Sequence, residues 1–239
     1  MYPIVCQLGP VPVYSYGLML AIAVMMTSFL ISRDAHKMGV SSDMVYDLAF
    51  WVVLAGIVGA RIFYIFLNLD FFLSQPFEMI MVQKGGLAWQ GSLVFGFVTA
   101  VMYLRKKRVP FWKFLDVAAP YVALGHAIGR IGCLLNGCCY GKPAGWGIFF
   151  PVFGERLQPT QIYMSLGQLA IFFILRASQS RLRKDGQVFV LYLLLSAVER
   201  FLVEFVRADH VLYGGLSIFQ YVCIGIIVLG LIIHLRLAR

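Results

Sequence analysis

The amino-acid sequence predicts an all-α polytopic membrane protein with seven transmembrane helices, its N-terminus outside and its C-terminus in the cytoplasm. Composition excludes a soluble domain. Of 239 residues, 61% are hydrophobic and only 13% are charged, and the mean hydropathy is +0.83, more apolar surface than a water-soluble core can bury. Seven apolar runs reach, or nearly reach, the roughly 20 helical residues that a hydrocarbon core demands. Basic residues then concentrate in alternate connections, and that alternation orients the chain.

The runs lie near residues 14–33, 47–67, 87–104, 115–136, 160–176, 187–206 and 216–235. The first fifteen residues hold no Lys or Arg, and no small-residue cleavage site follows the first run, so that run is expected to persist as a span. The connection after it carries Arg33 and Lys37, and the one after the third run carries Arg105, Lys106, Lys107, Arg108 and Lys113. Arg176, Arg181, Arg183 and Lys184 follow the fifth run, and Arg236 and Arg239 follow the seventh. Against these thirteen, the other four segments hold only Lys84, Lys142, Arg156 and Arg207, and such an excess marks the cytoplasmic side. The net charge of +9 therefore reports orientation and contact with anionic lipid, not nucleic-acid binding. Between the second and third runs, residues 68–86 mix Phe, Leu and Met with a few polar groups, which suits an arm lying in the membrane interface. Residues 137–160 set Gly137, Gly141, Pro143, Gly145, Gly147, Pro151 and Pro159 among Trp146, Phe149 and Phe150, the composition of a small extracytoplasmic cap at headgroup level. No segment is long enough for a separate soluble domain, so residues 1–239 are expected to form one integral membrane domain.

Arg61, Arg130 and Arg200 fall inside the apolar runs. An arginine at the centre of a membrane helix costs roughly 3 kcal/mol on insertion scales, so one that persists faces a cavity or bundle interior and meets an anion. Arg130 sits in "GHAIGRIGCLLNGCCYG", where Gly125, Gly129 and Gly132 share one helix face and permit close approach of another helix or of a lipid headgroup. On the sixth run Arg200, Glu204 and Arg207 stand at i, i+4 and i+7, one stripe with net positive charge. Guanidinium is the side chain best shaped for bidentate phosphate binding, and phospholipid phosphate is the anion at hand. The competing reading is a salt-bridge lattice that only fixes packing. At a similar level lie Tyr14, Tyr16, Gln90, Asn136, Gln161, Tyr163, Ser217 and Gln220, while His126, one turn before Arg130, is either a base or a hydrogen-bonded packing residue. The five cysteines, Cys6, Cys133, Cys138, Cys139 and Cys223, lack the paired spacing of a zinc site, so no metal or other cofactor is expected. Cys138 and Cys139 read as small buried groups.

Six segments together resemble the motifs of one family. They are "GPVPVYSYGLM" (9–19), "KGGLAWQGSL" (84–93), "GRIGCLLNGCCYGKP" (129–143), "QPTQIY" (158–163), "ERFLVEFVRAD" (199–209) and "LSIFQ" (216–220), and in that order they are similar to bacterial prolipoprotein diacylglyceryl transferases over essentially the whole chain. The resemblance implies a seven-helix inner-membrane enzyme, its active site toward the extracytoplasmic leaflet. It would move diacylglycerol from phosphatidylglycerol to the lipobox cysteine of a preprolipoprotein signal peptide and release glycerol 1-phosphate. Its partners would be those two substrates and membrane lipid, with no nucleic acid. Candidate catalytic residues are Arg130, Arg200, Glu204, Tyr16 and His126; candidate substrate-binding residues are Arg207, Arg61, Asn136, Gly141, Gln90, Gln161 and Gln220. The chain departs from the family pattern at Gln90, where many members have a histidine, at Cys133, often Asn, at Met164, often Glu, and at Tyr14, sometimes His. Gln90 is no base at neutral pH, which leaves the base unassigned. The alternatives are a phospholipid-binding transporter or scramblase, or a paralogous transferase with another acceptor.

Overall fold

Each of the seven apolar runs forms one long helix in the computed structural model, which describes residues 1–9, 11–81, 85–182, 184–208 and 212–238. Lys84, Arg183 and Arg239 of the charge pattern, and Pro10 and Asp209 of the quoted motifs, lie outside the described residues. In chain order the elements are β1 (Ile4–Leu8), β2 (Val11–Tyr14), α1 (Ser15–Ala35), α2 (Ser42–Leu67), α3 (Leu69–Ser74), α4 (Trp89–Lys106) and α5 (Phe111–Asn136). There follow β3 (Pro143–Phe150), β4 (Glu155–Leu157), α6 (Thr160–Ser178), α7 (Gln187–Glu204), β5 (Leu212–Tyr213), β6 (Leu216–Ser217) and α8 (Ile218–Ala238). The strands make three small antiparallel hairpins, β1–β2, β3–β4 and β5–β6, and the second of them is the segment expected as a cap.

Among the described residues, four helical stretches are long and apolar enough to cross a membrane: Ser15–Met38, Ser42–Leu67, Phe111–Asn136 and Ile218–Arg236. Their outer faces stay apolar, with Met25, Phe29, Phe66 and Leu229 all exposed, as a lipid-facing surface requires. α2 begins five residues earlier than its apolar run because Ser41, extended at φ −70°, accepts a hydrogen bond from the Met44 amide and caps the helix.

Residues 1–31 with 112–239 form one compact unit, and residues 32–111 form another. In the first, Ala119 and Ala123 of α5 pack with Ile171 and Leu175 of α6 and Val188 of α7. Pro120, fully buried inside α5, has no amide proton to give the Asp116 carbonyl. Gln179 at the end of α6 supplies the missing donor at 3.1 Å. The Asp116 carboxylate accepts from the Gly186 and Phe189 amides at 2.6 and 2.8 Å and so caps α7 from a neighbouring helix.

In the second unit α2 packs against α4, and Arg61 ties down the chain that follows α3. Its Nε donates to the Met79 carbonyl at 3.0 Å. Nη1 donates to Gly85 and Gly86 at 2.7 and 3.0 Å, and Nη2 to the carbonyls of Glu78 and Met81. The Phe72 ring lies 5.3 Å from the guanidinium carbon. All five donors of Arg61, placed among the substrate-binding candidates from sequence, are thus engaged by main-chain carbonyls here. Phe77 and Ile80 beside it are 83% and 80% exposed, so the polar anchor holds an apolar surface outward. Arg61→Lys keeps one charge and loses the fork. Amide exchange at 76–81 is expected to speed up by about a hundredfold, equivalent to roughly 3 kcal/mol of lost charged hydrogen bonds, while α2 exchanges as before; hydrogen-exchange mass spectrometry reads both.

Candidate functional site

The site lies in the unit built from residues 1–31 and 112–239, and its frame is the join between α7 and α8. Glu204, 1% exposed, accepts from Ser217 Oγ at 2.9 Å through Oε1, and its Oε2 lies 2.7 Å from Arg200 Nη2 and 3.8 Å from Arg207 Nε. Gln220 locks the start of α8 by accepting from the Ser217 amide at 2.9 Å and donating to the Phe201 carbonyl at 3.4 Å. The i, i+4, i+7 stripe expected from sequence is therefore one ion-paired carboxylate between two guanidinium groups. Phe219 covers Arg200 at 5.0 Å, and Arg200 Nη1 is buried with no hydrogen-bond partner. A charged donor left unsatisfied away from water is costly, and it marks where an anion would be held.

Arg130 comes to the same region from α5. Its Nε donates to His126 Nε2 at 3.2 Å, its only hydrogen bond among the described residues. The terminal nitrogens stay available, and Arg130 lines a cavity of about 220 Å³ with Ile131, Leu134, Gln161, Ile162, Ser165 and Leu166. The lone pair of His126 is occupied by this bond, so the imidazole positions Arg130 and is not poised as a base through that nitrogen. Of the glycine face, Gly125 and Gly132 pack on α1, where a side chain would come within 2.8 Å of Thr27 and 3.0 Å of Met19, whereas Gly129 faces nothing within 4 Å. Arg130, Arg200 and Arg207 are close enough to act electrostatically on one another at Arg200.

The turn after α5 closes the site. Gly141 pairs in an antiparallel bridge with Arg207, the Lys142 amide donates to the Val206 carbonyl at 2.8 Å, and the Gly141 amide to Gln158 at 2.9 Å. A side chain at Gly141 would sit 2.6 Å from the Val206 carbonyl oxygen, so only glycine lets the turn reach Arg207. Gln161, 1% exposed, donates to the Cys138 carbonyl at 2.6 Å, while its Oε1 is buried without a partner. Asn136 ends α5 beside Cys138. Tyr16, exposed on one side, stands near Arg130, Cys133 and Cys138. Gln90, on α4, belongs with Arg61 to the other unit.

Two features escaped the sequence. Gln168, fully buried, donates to Glu199 Oε2 and to Ser196 Oγ, with Glu199 Oε1 buried and unpartnered; its signal was a carboxylate inside an apolar run. Cysteines are the other. The sulfurs of Cys133, Cys138 and Cys139 all lie within 4.8 Å of one another, a ligand cluster that the spacing of the five cysteines did not suggest, because the turn of the chain creates it. The neighbouring Cys133 and Cys138 thiols, and then the fields of Arg207 and Arg130, outweigh the effect of burial and hold the Cys139 thiol below its ordinary pKa.

Comparison with known proteins adds independent findings. A family model described as prolipoprotein diacylglyceryl transferase matches residues 3–236. A phosphatidylglycerol--prolipoprotein diacylglyceryl transferase of Bacillus cytotoxicus is 34% identical over 239 residues, covering 95% of this chain and 88% of that relative. Proteins of the same name from Bacillus cereus and Bacillus anthracis are each 33% identical over 238 residues, with the same coverage.

Proposed function

The chain belongs to the prolipoprotein diacylglyceryl transferase family, and from that premise we infer that it transfers the diacylglyceryl group of phosphatidylglycerol to a prolipoprotein. The acceptor is the lipobox cysteine thiol of the signal peptide, and the other product is glycerol 1-phosphate. The observation that ties this activity to a site is the set of guanidinium donors with capacity to spare: the terminal nitrogens of Arg130, a residue that lines an apolar cavity, and the orphaned Nη1 of Arg200. A phospholipid needs that combination, since its headgroup is anionic and its chains are not.

In the reaction the acceptor sulfur forms a bond to the terminal glycerol carbon of the diacylglyceryl group. The bond from that carbon to the phosphate oxygen breaks, its electron pair stays on oxygen, and glycerol phosphate leaves with one more unit of negative charge. Donors fixed where that charge develops lower the barrier because they need no reorganisation. Arg130, steadied by His126, and Arg200, steadied by Glu204, are those donors. Arg207, held against Gly141, adds positive field. The thiol, whose free pKa is about 8.5, surrenders its proton to water under the same field, so this reading requires no strong base.

All seven long helices span the inner membrane in this reading, with the N-terminus and the β3–β4 hairpin outside. The basic residues of alternate connections support that orientation, and it turns the site toward the extracytoplasmic leaflet. The test is a mass-shift assay with purified protein, phosphatidylglycerol and a lipobox peptide. A diacylglyceryl gain on the peptide cysteine, with matching release of glycerol phosphate, is expected. Intact phosphatidylglycerol that is bound, or moved between leaflets, beside an unmodified peptide would overturn the proposal in favour of lipid transport.

A further inference from the structure

Three thiols meet at one point beside the arginines, and neither the transfer chemistry nor packing accounts for that. Cys133 sits near the end of α5, and Cys138 and Cys139 lie just beyond it, so the ligand spacing is i, i+5, i+6. Two turns of backbone make the convergence possible: Gly137 at φ +76° and Cys139 at φ +62°, the latter unusual for a side chain of this kind. The loop is then held from outside. The Cys138 amide donates to the Cys133 carbonyl at 3.1 Å, Gln161 donates to the Cys138 carbonyl at 2.6 Å, and the Thr160 hydroxyl donates to the Cys139 carbonyl. Thr160 and Gln161 are both buried, so the carbonyls they hold, and with them the sulfurs, have little freedom to drift.

We propose that Cys133, Cys138 and Cys139 form a binding site for a soft divalent cation of the Zn2+ type, held by three thiolates. A tetrahedral zinc with bonds of about 2.3 Å places its sulfurs roughly 3.8 Å apart, and the three sulfurs already lie within 4.8 Å. Closing by less than about 1 Å completes the set without moving the pinned backbone. Binding exchanges the protons that the thiols still carry for the metal, and the resulting zinc trithiolate carries one negative charge. Arg207 and Arg130, whose fields reach Cys139, balance it. A fourth position stays open to water or a ligand, as in sites with three protein donors. A disulfide would join two of the sulfurs and strand the third, whereas all three converge. Occupancy would also stiffen the turn between Asn136 and Gly141. The zinc assignment rests on the convergence of the three sulfurs and not on the transferase reading.

The test uses the tag-free full-length protein in detergent, reduced and then freed of reductant under inert gas. Titration with Zn2+ against a chromophoric chelator is expected to give one tightly bound ion per chain with release of the protons that the three thiols still carry at the working pH. Co2+ in its place should give thiolate-to-metal charge-transfer absorption. Cys133→Ser should weaken binding by about a hundredfold or more, beyond the effect of changing an outer-shell partner, and Cys6→Ser, at an exposed cysteine away from the cluster, should leave it unchanged. Because a cysteine variant can misfold, the unmodified protein supplies a second measurement: Zn2+ should protect Cys133, Cys138 and Cys139 from alkylation and leave Cys6 reactive. Absence of stoichiometric binding, equal binding by a folded Cys133→Ser protein, or a disulfide among these three cysteines in protein isolated without reductant would each overturn the site.

Discussion

Arg130→Ala is expected to lower kcat/KM for diacylglyceryl transfer by about a thousandfold or more while the protein stays folded. The magnitude follows from removing preorganised donors at the leaving phosphate, each worth about 10²–10³ in rate, or roughly 4 kcal/mol for three decades. Folding should survive because the only hydrogen bond Arg130 makes among the described residues is to His126, one turn away on its own helix, and the residue lines a cavity. Arg130→Lys restores the charge as a point and not as a planar fork, so partial recovery is expected, in kcat more than in the binding of phosphatidylglycerol. Steady-state kinetics and lipid-binding measurements on the same samples separate these terms. A variant that keeps wild-type kinetics would remove Arg130 from the mechanism, and one that loses activity only as it loses folded protein would make the residue structural.

The second large effect is expected at Glu204. It is 1% exposed and holds Ser217 Oγ and Arg200 Nη2 at 2.9 and 2.7 Å, with Arg207 behind at 3.8 Å. Removing one partner of a buried ion pair leaves an uncompensated charge and costs about 3–5 kcal/mol. Glu204→Ala should therefore lose both thermal stability and activity. Replacing the pair with apolar groups of similar volume is often close to neutral, so Arg200→Met with Glu204→Leu should regain most of the lost stability and none of the activity. Thermal unfolding in detergent together with the mass-shift assay distinguishes the two roles. Recovered activity in the double variant would show that the ion pair only joins α7 to α8.

Much of this frame is legible in the sequence because membrane helices announce themselves by length and hydropathy. Every long helix coincides with an apolar run, and the misplaced boundary at α2 had a visible cause in Ser41, a capping residue outside the hydrophobic stretch. The α7 stripe was legible for the same reason: three- and four-residue spacing on one helix places side chains together whatever the surroundings. Arg61 was not. Its carbonyl partners at Met79 and Gly85 lie 18 and 24 residues away, and an arginine among glycines and aromatics gives no sign of which acceptors a later loop will bring. Gln168 and Glu199, 31 residues apart, meet only because α6 packs against α7.

The sequence by itself determined the helices, the basic asymmetry between alternate connections and the family, since these rest on local composition and on motifs read in order. Tertiary structure alone decided which charges were spent and which were spare. Arg61 and Arg130 look alike as lone arginines in apolar runs, yet one gives all five donors to carbonyls of the loop after α3 and the other bonds only through its Nε among the described residues. It also decided that three cysteines unmarked by any metal-binding spacing share one point. The physical reason is common to both: hydrogen bonding and metal ligation act over a few ångströms in space, and only the packing of distant segments sets those distances.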